Sequence, residues 1–245
     1  MSFVDHFSEK SAGYARSRPT YPDELFAFLA RHAPARDLAW DCATGNGQAA
    51  IGLARHFRQV EATDASAEQI SNAIAARGVS YSVQPAERTG FADQSFDAVS
   101  VAQALHWFDF DRFNAEVRRV LKPRGVILVT SYGWSHVSPE FDRELKRVVL
   151  DPIHPYWPPQ NAHIFAGYRD VPFPYERIEV PPMRIELRWS LSQLIAYIGT
   201  WSATRRLLPS DPGLLERAAS ELAPAWGAAT ERTVTMPLLI LCGRV

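Results

Sequence analysis

Cysteine is scarce: two residues, Cys42 and Cys242, in a chain of 245. Both stand in apolar, strand-like contexts, which excludes a disulfide framework and reads as buried thiols of a reducing compartment, with no metal site expected. Charge of one sign is also missing, since 26 Lys and Arg against 27 Asp and Glu leave a formal net charge of −1. Without a long basic run, nucleic acid is excluded as the main partner, because phosphate binding depends on clustered cations. No apolar run approaches the roughly 18 residues of a membrane span. Residues 1–14 are too polar for the apolar part of a signal peptide, so a cytoplasmic setting with no membrane partner is expected. Internal repeats and low-complexity tracts are absent too, and what remains is a globular chain with a small-molecule partner.

What is present centres on Leu38-Ala39-Trp40-Asp41-Cys42-Ala43-Thr44-Gly45-Asn46-Gly47. An apolar run ending in Asp and passing into small residues before the helix-like 48–57 describes a strand, a tight turn and a close approach of backbone to a ligand. The next strand-like run, 59–64, ends in Asp64, about 20 residues further on, where such folds set a carboxylate against ribose hydroxyls. The turn departs from the dinucleotide pattern, whose first glycine falls on Gly45 and whose third falls on Ala50. Asp41 would be a poor neighbour for phosphate and suits an ammonium better. An adenosyl compound with a positive amino acid part and no phosphate fits, and S-adenosyl-L-methionine has those parts.

Further segments strengthen this reading. Gln84-Pro85-Ala86-Glu87 is followed by Phe91-Ala92-Asp93-Gln94-Ser95-Phe96-Asp97-Ala98-Val99, then Gln103-Ala104-Leu105-His106-Trp107-Phe108, then Arg119-Val120-Leu121-Lys122-Pro123-Arg124-Gly125. With Tyr14-Ala15, Arg18-Pro19 and Tyr21-Pro22 near the start, these resemble the class I S-adenosylmethionine-dependent methyltransferases, in particular a small-molecule branch similar to aconitate-type methyltransferases. Ala43 stands where most members carry a first glycine and Arg124 where many carry a second. Alanine costs little there if its φ is negative.

Strand-like and helix-like segments alternate in the order that builds a parallel sheet with helices on both faces. Helices are expected at 22–32, 48–57, 67–76, 111–121, 139–150, 191–207 and 212–222, and strands at 38–42, 59–64, 81–84, 96–102, 126–131, 184–189 and 233–242. The resemblance implies an α/β fold, a doubly wound seven-stranded mostly parallel sheet of Rossmann-like methyltransferase type whose last strand is antiparallel. One domain over 1–245 is expected, with residues 1–22 covering the cofactor. Residues 134–210, with a stretch rich in proline and aromatics at 152–174, are expected to form a lid or substrate wall after the fifth strand, since long irregular insertions in compact domains are usually functional.

Ligands in such sheets lie beyond the carboxyl ends of the strands, so Asp41, Ala43, Gly45, Asp64, Ala65, Ala86, Glu87 and Gln103 should converge on one cofactor. The resemblance implies the same set, with Tyr14 and Arg18 closing over it. Glu87 equally reads as a helix-start charge or a partner of Arg88. His106 is the candidate general base for a hydroxyl or amine acceptor, against a structural, hydrogen-bonded histidine. Trp107, Trp134, Tyr197, Trp201 and Arg205 are candidates for the acceptor cavity, although Tyr197 and Trp201 also fit a buried helical seam. Two alternatives stay open: a nicotinamide-dependent oxidoreductase, and a non-catalytic protein that binds S-adenosylmethionine. The oligomeric state is not readable from the sequence.

Overall fold

The computed structural model describes residues 19–245, so Tyr14, Arg18 and most of the expected covering segment lie outside the described residues. Helix α1 (Asp23–His32) starts after Pro22 with Asp23 and Glu24 in its first turn and ends on Arg31 and His32, the charge order that its dipole favours. Then come β1 (Leu38–Cys42), α2 (Gln48–Leu53), β2 (Gln59–Asp64), α3 (Ala67–Ser71), β3 (Val79–Val83) and β4 (Phe96–Ala102). Helix α4 (Phe110–Val120) leads directly into β5 (Leu121–Tyr132). Phe113, Val117, Val120 and Leu121 turn inward as their helical spacing requires.

Strands β1 to β5 are parallel in the order β3-β2-β1-β4-β5. Past β5 the alternation gives way to α5 (Pro139–Leu145), a π-helical turn at Lys146–Leu150, α6 (Asp151–Ile153) and α7 (Ala162–Phe165). Short β6 (Glu176–Arg177), β7 (Arg184–Trp189), α8 (Leu191–Gly199), α9 (Ser202–Leu207), α10 (Leu214–Trp226) and β8 (Arg232–Arg244) follow. Strand β8 is antiparallel to β5, β6 and β7. The seven expected strands become eight because the outermost is cut in two: β6 and β7 lie on either side of Pro181 and Pro182, which have no N–H for the ladder.

One face of the sheet packs Phe26, Leu29 and Leu53 from α1 and α2 against Val60 and Leu128. The other packs Trp40, Phe96 and Val99 against Phe113 and Val117 of α4. A third core, holding Phe141, Val149, Leu194, Ile198 and Leu222, joins the helices after β5 to β7 and β8 through Ile185 and Val234. Cys42 and Cys242 are free and buried, and burial pushes the Cys242 thiol up to about 12.

Three helices are shorter than the periodicity predicts. α2 ends at Leu53 instead of continuing to residue 57, its last carbonyl, that of Leu53, shared by the turn amides of His56 and Phe57. α3 stops at Ser71 rather than 76 because the following residues are drawn onto the glycine turn. Ile74 N–H donates to the Asn46 carbonyl at 3.0 Å, and Tyr81 Oη donates to the Ile74 carbonyl at 2.8 Å. The expected helix 191–207 breaks at Trp201, whose ψ of 142° is extended, while Thr200 Oγ1 donates to the Tyr197 carbonyl.

Candidate active site

The turn after β1 is held open by left-handed backbone at alternate residues, with φ of 55° at Ala43, 56° at Gly45 and 95° at Gly47. The condition under which alanine costs little here, a negative φ, is not met: Ala43 sits where its Cβ crowds the carbonyl, and the strain is real. Space decides the glycines. A Cβ at Gly47 would lie 2.2 Å from Tyr81 Oη, whereas at Gly45 the nearest atom is Gln69 Oε1 at 3.9 Å. Gly45 thus leaves bare backbone facing free volume, as a ligand-facing turn needs.

Asp41 is wholly buried at the tip of β1. Thr44 Oγ1 donates to its Oδ2 at 2.5 Å, while Oδ1 has no hydrogen-bond partner among the described residues. Burial, helped by the charge of Asp64, raises its pKa to about 7, against the pull of Thr44, the Ala50 amide and Ser100. Half-buried Asp64, at the tip of β2, accepts from the Gly45 N–H through Oδ2 and the Ser66 N–H through Oδ1, both at 2.9 Å. Two carboxylates thus flank one turn and feel each other's charge. Ala65 is half-buried beside Asp64, and Asn46 keeps a buried Nδ2 without a partner among the described residues.

The loop after β3 is pinned from below. Gln84 Oε1 accepts from the Gly90 N–H, and Glu116 Oε1 accepts from both the N–H and the Oγ1 of Thr89. Arg119 closes the arrangement on Glu116, Asp93 and the Phe91 carbonyl. Ala86 is buried. Glu87 reaches the start of α4, where its Oε1 accepts from the Asp109 N–H at 3.1 Å.

At the tips of β4 and β5, Gln103 is left-handed, with a φ of 57°. Its N–H donates to the Thr130 carbonyl and its Oε1 accepts from Ser131 Oγ at 2.6 Å. His106, in a short 3-10 turn and 5 % exposed, lies with Nδ1 3.2 Å from Tyr168 Oη. Burial pushes its pKa down to about 3. Its imidazole is therefore neutral near pH 7 and makes hydrogen bonds. Half-buried Trp107 packs on it at 4.9 Å.

The aromatics expected to line an acceptor cavity come together. Trp134, just past β5, lies 5.7 Å from Trp201, and Trp201 lies 5.5 Å from Tyr197 in an edge contact. Two residues that periodicity does not reveal complete the group: Trp157 at 5.9 Å and Phe165, stacked at 5.4 Å, both against Trp134. Phe165 is 45 % exposed and Trp157 Nε1 is buried without a partner among the described residues. Tyr197 is buried in the seam, as its second reading allowed, and half-buried Arg205 follows Trp201 by one turn on α9. Tyr168, three residues past Phe165, ties this group to His106 and was also missed. Its only sequence signal is Gly167 ending α7.

A doubly wound sheet with two carboxylates flanking a glycine turn at the tips of β1 and β2 defines a protein that binds a phosphate-free adenosyl cofactor. The orphaned Asp41 Oδ1 and the open Gly45 backbone fit the ammonium and carboxylate of such a molecule, and Asp64 suits its ribose. Residues 40–129 match a family described as the methyltransferase domain. A candidate methyltransferase of Dictyostelium discoideum is 32% identical over 204 residues, 82% of this chain and 78% of its own. The solved structure of a candidate type II methyltransferase from Anaeromyxobacter dehalogenans shares 42% identity, covers 93% of this chain and 97% of its own, and superposes with a TM-score of 0.87. The YcgJ protein of Bacillus subtilis, at 18% identity and a TM-score of 0.51, has the same fold over 91% of this chain and 98% of its own. The chain belongs to the class I S-adenosylmethionine-dependent methyltransferases, and S-adenosylmethionine is its cofactor. The oxidoreductase alternative is set aside. Among the described residues no helix is long and apolar enough to cross a membrane.

Proposed function

We propose that this methyltransferase acts on a small molecule with an oxygen or nitrogen acceptor, seated between the aromatic group around Trp134 and the turn carrying His106 and Trp107. The observation that carries the reading is the junction of the two: α7 delivers Phe165 to Trp134 and Tyr168 to His106. Asp41 and the backbone of Ala43 to Gly45 would hold the amino acid part of the cofactor, Asp64 and Ala65 the ribose, and Ala86, Glu87 and Gln103 the adenine side. Tyr14 and Arg18, outside the described residues, would cover the cofactor. When bound, the cofactor supplies an activated methyl group, so the protein needs to align the acceptor and exclude water, and positioning alone supplies about 7–11 kcal/mol.

Neutral His106 orients an acceptor hydroxyl or amine by hydrogen bonding to it. A carboxylate acceptor, as the similarity to aconitate-type enzymes suggests, needs no such help, and Arg205 would then face the anion. Residues 134–210 act as the substrate wall. The test is a screen for methyl transfer to carboxylic acids, phenols and amines, paired with calorimetry. Binding of S-adenosylhomocysteine but not NADH is expected, together with turnover of at least one class. Tight binding with no turnover of any class would sink the small-acceptor reading and favour a protein that binds without catalysing.

A further inference from the structure

Residues 157–161 join the tryptophan group to the turn that carries His106. Trp157 packs among the aromatics, and four residues further on the 3-10 turn Pro159–Asn161 lies against the 3-10 turn Leu105–Trp107. Each end of this short segment keeps an unanswered polar atom. Trp157 Nε1 is buried with no hydrogen-bond partner among the described residues, and so is Oδ1 of Asn161, a residue only 7 % exposed. Folded proteins pair nearly all such atoms, so a donor and an acceptor left over four residues apart call for a guest. We propose that Trp157 and Asn161 determine specificity by selecting an uncharged, planar substrate with a hydroxyl or amide group, which accepts from Trp157 Nε1 and donates to Asn161 Oδ1. The inference rests on the reading that the methyl acceptor is seated between Trp134 and His106.

Planarity follows from how the rings stand. Trp134, Trp157 and Trp201 are mutual neighbours, with centroids 5.7 to 6.1 Å apart, and these are the separations of aromatic rings packed on one another. A cation held by an aromatic cage stands between ring faces, up to about 6 Å from each centroid, and rings already in contact leave no room for it. The group is therefore a wall and not a cage. Phe165 extends the wall outwards, stacked on Trp134 with 22° between the planes and 45 % exposed. A flat ring laid on such a surface keeps contact over its whole face, whereas a puckered one touches at a few atoms.

The absence of charge follows from the polar groups themselves. An indole N–H only donates and a side-chain amide oxygen only accepts, so together they match a group that does both, which a hydroxyl or an amide does and a carboxylate does not. An ionised carboxylate would set its lone pairs against those of Asn161 Oδ1, and it would leave water for two neutral partners. The third polar neighbour is neutral as well, since burial holds the His106 imidazole uncharged. Hydroxyl and amine acceptors are thereby favoured over carboxylates.

The experiment is calorimetry near neutral pH on the full chain saturated with S-adenosylhomocysteine, titrated with three probes: 2-naphthol, its anionic counterpart 2-naphthoate, and the saturated, non-planar 2-decalol. The expected result is that 2-naphthol binds about tenfold or more tightly than either of the others, since each lacks one of the matched properties. Trp157→Phe keeps a ring and removes the N–H, and Asn161→Leu keeps the bulk and removes the acceptor. Each should weaken 2-naphthol by about 3- to 10-fold, the scale of one neutral hydrogen bond, and narrow its lead over 2-naphthoate. A purely structural role would instead change all three probes alike, and that outcome overturns the proposal. So does 2-naphthoate bound as tightly as 2-naphthol, which would make Arg205 the specificity residue, or 2-naphthol left unbound at millimolar concentration. If Asn161→Leu does not fold, Trp157→Phe decides. Should the binding pattern hold while no acceptor of any class is methylated, the transfer reading fails and the recognition stands; should hydroxyl acceptors be methylated while 2-naphthol ignores both variants, the recognition fails and the transfer reading stands.

Discussion

Asp41 concentrates the chemistry of this protein at a single residue, a fully buried carboxyl group whose Oδ1 has no hydrogen-bond partner among the described residues. Its raised pKa, about 7 against 3.8 for an ordinary aspartate, means that the folded state binds more protons than the unfolded state between those values. Stability from this group therefore falls as pH rises from about 4 to 7, at a rate set by the excess protons. Thermal melts of Asp41→Asn, which removes the ionisation, should show a flatter stability profile over that window and a ligand-free protein more stable at pH 8 by a few kcal/mol. An ammonium favours the ionised form, so cofactor affinity should climb through the same window, and calorimetry below pH 7 in buffers of different ionisation enthalpy should register a released proton. Asp64 behaves differently, held by two amides and half-open. Replacing it by alanine should weaken cofactor binding by about 1.5–3 kcal/mol without unfolding the chain, and an unchanged dissociation constant would remove its ribose role. His106→Ala should cost about 10- to 100-fold in kcat on a hydroxyl or amine acceptor, at or below the low end of what a proton-transferring residue contributes, and much less on a carboxylate.

Elements carry a separate set of consequences. The turn between β1 and α2 asks for left-handed backbone at Ala43 as well as Gly45, so Ala43→Gly should stabilise the fold by about 1 kcal/mol in chemical denaturation. Gly47→Ala should destabilise it, because the added methyl meets Tyr81. At the opposite end of the sheet, buried Asp97 accepts from the amides of Asp37 and Leu38 and from Lys122 Nζ. Its loss should cost about 3 kcal/mol. The βα order, the Asp41 turn and Asp64 were legible because strand tips and small-residue turns are local signals with a fixed spacing. Tyr168, Phe165 and Trp157 were not, since a run of short helical turns around Pro155, Pro158 and Pro159 has no period to read, and its contacts reach back across the chain to His106 and Trp134. The outline of helix 191–207 failed at Trp201 for a related reason: side-chain capping at Thr200 competes with the helix ladder and leaves no mark in hydrophobic spacing.

At the scale of the whole molecule, cofactor binding and folding are linked. A ligand at 100 times its dissociation constant adds about 2.7 kcal/mol to the stability of the folded state, and for a chain of this size that corresponds to a melting shift of about 5–10 °C. S-adenosylhomocysteine should produce such a shift and NADH should not. The two halves of the molecule, the parallel strands and the helices beyond β5, have their own apolar cores, and β8 is bonded to both, to β5 along one edge and to β6 and β7 along the other. Because β8 follows every one of its neighbours in the chain, a ribosome delivers all of them before the strand that joins them. Until it arrives, the nascent β5 waits with a bare edge, open to pairing with other chains. Chaperone protection during that interval, and not equilibrium stability, would then limit the yield of folded enzyme.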